Sequence, residues 1–140
     1  MGKINMGRVI LGGLLAGLII DIGESVLNGV ILGKEMEAAM QALNRPMVGG
    51  GAIAVFLVLG FLLGIAAVWT YAAIRPRFGA GPKTAVCAGL LVWFFSYFYP
   101  SAGFAAMELF PTKLITWGLV WGVVEIVVAS VAGAWAYKEA

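Results

Sequence analysis

Three features of this sequence predict an all-α fold: a four-transmembrane-helix up-down bundle, with a short amphipathic interfacial helix between the first and second spans. The first is composition. Of 140 residues, 62% are hydrophobic and 11% charged, with a mean hydropathy of +1.00, whereas soluble domains are about 45–50% apolar and roughly 25% charged. The second is segment length: four apolar stretches, at about 8–32, 49–74, 84–106 and 114–137, reach the roughly 20 residues that a transmembrane helix needs. The third is the spacing of small residues. Gly13/Gly17, Gly60/Gly64 and Gly118/Gly122 are each GxxxG pairs, the pattern that lets membrane helices approach closely. Residues 1–140 are read as a single integral membrane domain.

The first span is unusual in carrying Asp21, Glu24, Ser25 and Asn28 inside an apolar run. It is too long and too acidic for a signal-peptide core and lacks a small-residue cleavage site. The segment 33–46, GKEMEAAMQALNRP, is helix-prone. Met36, Ala39, Met40 and Leu43 share one face, while Lys34, Glu37 and Gln41 lie elsewhere. Such a helix rests in the membrane interface or packs over the end of the bundle.

The second span brings no polar group to the depth of the acids, so Gly60 and Gly64 are expected on an intermolecular face. RPRFGAGPK (75–83) reads as a tight basic turn. Pro100 is expected to interrupt the third span, leaving 100–113 as a short surface element closed by Pro111. WFFSYFYP (93–100) offers Trp93 and Tyr97, with Trp121 of the fourth span, as a possible surface for a flat apolar ligand. Cys87 falls on the opposite face from Ser96 and reads as a lipid-facing thiol.

Lys3, Arg8, Arg75, Arg77, Lys83 and Lys138 flank one side of the spans; Lys34, Arg45 and Lys113 flank the other. The richer side is expected in the cytoplasm, with both termini.

Depth follows from spacing. Asp21 is thirteen residues after Arg8, Ser96 thirteen after Lys83, and Glu125 thirteen before Lys138. At 1.5 Å per residue all three lie about 20 Å in, near the middle of a ~30 Å core. Gly17, Asp21, Glu24, Ser25 and Asn28 fall on one arc of their helix, and Gly118, Gly122 and Glu125 on one stripe of theirs. The predicted buried polar layer is therefore Asp21, Glu24, Asn28, Ser96 and Glu125. Asp21 is expected to meet Glu125. With no basic residue at that depth, the acids are expected to share a proton, to donate one to Ser96 or Asn28, or to hold a cation.

Several function classes are excluded or unsupported. The chain has no histidine and one cysteine, so His-ligated haem, a Ser-His-Asp triad and a disulfide are out of reach. No phosphate-binding loop is present. Neither a metal set nor a nucleophile–base pair can be assembled, so no enzyme, metal or cofactor is expected. A scattered net charge of +2 gives no footing for nucleic acid.

The text GESVLNGVILGKEMEAAM (23–40) resembles that of uncharacterised small four-helix proteins of the bacterial inner membrane. The resemblance implies that membrane and this fold, with no activity attached. The first functional expectation is a non-enzymatic packing or accessory subunit, in a homo-oligomer or larger membrane complex within the lipid bilayer. The alternative is a small proton- or cation-coupled transporter or channel using Asp21 and Glu125. A third is a quinone- or pigment-binding subunit.

Overall fold

The computed structural model describes residues 2–140. Five helices are present among them: α1 (Met6–Ile31), α2 (Gly33–Ala42), α3 (Gly50–Phe78), α4 (Pro82–Ala106) and α5 (Thr112–Ala136). All but α2 are long and apolar enough to cross a membrane.

Local chemistry explains the ends. Asn5 caps α1, its side-chain oxygen accepting from the Arg8 backbone N–H at 3.2 Å, which satisfies one of the free amides of a first turn. Helix α3 runs on through Pro76 to Phe78, beyond the expected end at 74. Arg75 and Arg77 then lie in its last turn, where cations complement the helix dipole. The expected 75–83 turn shrinks to Gly79, Ala80 and Gly81. Both glycines take positive φ, 87° and 130°, a region that side chains other than hydrogen disfavour. The Thr84 hydroxyl donates to the Gly79 carbonyl at 2.7 Å and fastens this corner.

Pro100 does not break the third span. The turns just before it widen into a π-helix over Phe94–Phe98, and α-geometry resumes at Tyr99. Proline lacks an N–H and collides with the carbonyl four residues earlier in an ordinary helix; a wider turn accommodates it. The expected surface element at 100–113 is thus not separate: its first half completes α4. A second π-helix, Val26–Ile31, ends α1.

The helices α1 and α3 pack most extensively, followed by α1 with α5 and α4 with α5. Glycines form the first seam. A Cβ on Gly64 would run into the backbones of Gly13 and Gly17, and one on Gly13 would meet the Ile65 backbone. Gly60 and Gly64 therefore face α1 of the same chain, correcting the expected intermolecular face. Gly12 and Gly133 make an equivalent close approach between α1 and α5. Val9, Ala16, Ile20, Val68, Ala88, Ile126 and Ala129 fill the core, each 2% exposed or less.

The two ends of the helix set differ. At one, the Asn5 backbone N–H donates to the Tyr137 hydroxyl at 3.3 Å, and the Tyr71 and Tyr137 rings meet edge to face. Arg75 lies 3.3 Å from Glu139 without hydrogen-bond alignment. At the other, a smaller cluster of Leu27, Leu32, Ala39 and Leu114 seats α2, and Lys113 donates to Glu35 at 2.8 Å.

Candidate functional site

Between the core and the α2 end lies a connected set of polar side chains from α1, α4 and α5. The Asn28 amide donates to Glu24 Oε2 at 2.9 Å and to the Glu24 carbonyl at 3.0 Å. The Tyr97 hydroxyl stands 3.2 Å from Glu24 Oε1 and 2.9 Å from Glu125 Oε2. Asn28, Glu24, Tyr97 and Glu125 so form one hydrogen-bonded line across three helices.

Both π-segments sit on this line: Asn28 is within Val26–Ile31 and Tyr97 within Phe94–Phe98. A π-turn shifts the angular position of its side chains relative to an α-helix, and such turns are frequent at functional sites. Tyr97 is thereby aimed at the acids rather than at lipid.

Tyrosine has one hydroxyl proton and can donate it to only one carboxylate. The other contact is a hydrogen bond only when that carboxyl carries a proton and donates to the phenol oxygen. With both contacts hydrogen-bonded, the trio would hold two protons between three oxygens, in either of two directions. No lysine or arginine takes part; the ion pairs among the described residues are Arg75–Glu139 and Lys113–Glu35, both at the helix ends. Glu125 is 6% exposed, and its Oε1 is buried without a partner.

Gly23 shapes the pocket around Glu125. A Cβ there would collide with Glu125 Oε1, so only glycine leaves the carboxyl its place. Trp121, one turn before Glu125, donates its indole N–H to the Gly23 carbonyl at 3.1 Å. On the far side Tyr97 packs over Gly122.

The other expected members of the layer are placed elsewhere. Ser96 donates to the Val92 carbonyl of its own helix at 2.6 Å and contributes nothing to the acids. Asp21 turns toward α3, where its Oδ1 occupies the space of a Gly60 Cβ. It is Glu24, not Asp21, that joins Glu125 through Tyr97. Asp21 and Glu24 are three residues apart on an arc wide enough to face two neighbours, and the packing separates them. Gly118 has no atom near its missing Cβ, so of its pair only Gly122 makes a close contact.

The residues of the expected apolar-ligand surface make polar contacts within the protein. Tyr97 and Trp121 point their polar tips at Glu24, Glu125 and Gly23, while Trp93 donates to the Leu119 carbonyl at 3.1 Å. Two buried positions went unanticipated: Ser130, fully buried with an unpartnered hydroxyl beside Gly89, and Gly23 itself. No three His, Cys, Asp or Glu side chains among the described residues gather to hold a metal ion. Compared with known protein families, curated proteins and solved structures, the chain matches none.

Proposed function

We propose that this protein is a small proton-coupled membrane transporter, built as an up-down bundle, whose proton site is Glu24–Tyr97–Glu125. The observation that carries this reading is one phenol shared by two carboxyls, with no basic group in the set. In a low-dielectric interior two carboxylates this close cannot both stay charged without compensation. A proton supplies it, and the phenol gives that proton a route from one carboxyl to the other.

Asn28, only partly buried, marks the approach from the α2 end. The opposite direction is closed by Ile20, Ile126 and Ala129. On this reading the amphipathic α2 rests at the membrane interface, and the basic end with both termini faces the cytoplasm of a bacterial inner membrane.

A packing or accessory subunit is the second reading. Its support is that Asp21 and Glu125 each lie against a glycine of a neighbouring helix, the kind of contact that fixes helix register.

Purified protein in liposomes carrying a pH-sensitive dye separates the two. Transport predicts dissipation of an imposed pH gradient that Glu24→Gln and Glu125→Gln each reduce at least tenfold. If both variants pass protons like the parent and only melt at lower temperature, the packing reading stands and transport falls.

A further inference from the structure

The line of polar groups leaves Asp21 out. It is 8% exposed, and its Oδ2 is buried with no hydrogen-bond partner. It lines an open groove of about 430 Å³ between α1 and α3, whose walls include Leu18, Ile22, Leu57 and Phe61. Leu18, Ile22 and Leu57 are roughly half-exposed on the outside of the helix set, so the groove opens sideways, toward acyl chains. Gly60 lets the carboxyl sink into the groove floor, because a Cβ there would displace Oδ1.

A carboxylate beside hydrocarbon is stabilised by an opposite charge or a donor; no lysine or arginine lines the groove, and Ser25, the one hydroxyl along it, makes no hydrogen bond to Asp21. A ligand complementary to this groove brings both an N–H for the carboxyl and an apolar body for its walls. A second copy of the chain fits poorly: its matching face would present the same bulky Leu18, Ile22 and Leu57 and another acid. A phospholipid ammonium is held at headgroup level, whereas Asp21 is ten residues before Ile31, about 15 Å along the helix from that end. A quaternary ammonium has charge but no hydrogen to donate to the carboxylate.

We infer that the groove at Asp21 is the binding site for a single-chain alkylammonium amphiphile, entering from the bilayer between α1 and α3. Its ammonium pairs with Asp21, and its chain lies along Leu18, Ile22, Leu57 and Phe61. The inference names the substrate class of the transporter proposed above and rests on that reading for its physiological sense. Binding itself requires no proton movement.

The test is equilibrium binding of tritiated dodecylamine to the protein in phosphatidylcholine nanodiscs, with no pH gradient. Saturable binding is expected, weakened at least tenfold by Asp21→Asn. Leu57→Trp, which fills the groove at an exposed position and leaves the carboxyl in place, is expected to weaken it as much. Dodecanol and dodecyltrimethylammonium are expected to compete at least tenfold more weakly than dodecylamine. Parent-like binding in the folded Leu57→Trp variant, or equal competition by the trimethyl compound, overturns the assignment. So does a change of oligomeric mass on Asp21→Asn, which would put a second copy in the groove. Saturable binding without proton flux in the liposomes removes the transporter and leaves the site; flux without binding does the reverse.

Discussion

The Tyr97 hydroxyl and the Glu125 carboxylate lie 2.9 Å apart, joining α4 to α5 at the level where α1 contributes Glu24. Removing that hydroxyl leaves the geometry of the helices alone and takes away the one group that both carboxyls share. Tyr97→Phe is expected to lower stability by about 1–3 kcal/mol, the cost of leaving buried acceptors unmet, read as a lower unfolding midpoint in detergent. Its effect on proton flux is expected to be at least tenfold, as large as that of Glu125→Gln. A full-rate Tyr97→Phe protein would remove the phenol from the route.

The glycines divide into two groups by what stands opposite them. Gly64 meets the backbone of α1, which cannot yield, and Gly64→Ala is expected to cost about 1–3 kcal/mol or more through overpacking. Gly118 faces open space, so Gly118→Ala is expected to be neutral or stabilising by up to roughly 1 kcal/mol, the helix preference of alanine over glycine. Thermal unfolding of the two variants side by side checks the ranking.

Gly23→Ala tests the seat of Glu125. Its Cβ would claim the position of Oε1, forcing the carboxyl away from Tyr97. The expected result is a loss of proton flux at least comparable to that of Tyr97→Phe, with Trp121 fluorescence altered because its indole is bonded to the Gly23 carbonyl. Unchanged emission and flux would count against the arrangement.

Lys113 beside Glu35 holds that carboxyl below its ordinary value, chiefly through their hydrogen bond and then through a backbone bond. A carboxyl lowered in the folded state contributes at pH above its ordinary range and loses the contribution as pH falls through the lower, folded value. The attachment of α2 is therefore expected to be intact at neutral pH and to loosen as pH falls below about 4. A spin label on Ala38→Cys, in a Cys87→Ser background, should gain mobility over that fall. In Lys113→Ala it should be mobile at neutral pH already.

How much of this could be read beforehand depends on the kind of information. Spans are set by apolar length, so all four were legible. So was α2, from Met36, Ala39 and Met40. Close approach at Gly13, Gly17, Gly60 and Gly64 was legible as a motif, though not which helix each meets, because GxxxG serves contacts within and between chains equally. The depth count from Arg8, Lys83 and Lys138 placed the acids at nearly one level. It could not assign partners: Glu24 rather than Asp21 faces α5, and a rotation of some tens of degrees decides between them. That the Tyr97 hydroxyl reaches Glu24 and Glu125 is not legible from the aromatic run, for the same reason. Angular positions reckoned at 3.6 residues per turn fail once a π-turn intervenes, and Pro100 was the sole advance sign of the one over Phe94–Phe98.

Each of the two wide turns stores a surplus residue. An α-helix advances 100° per residue, so letting that surplus slip along α1 or α4 would re-aim a side chain while the axis of the rod stays where it is. Asn28 and Tyr97 are thus mounted on the two segments able to swivel without any tilting of helices. On the proposed transport reading, the link between Glu24 and Glu125 would be broken and remade by moving such a defect one position, with the helix axes left in place.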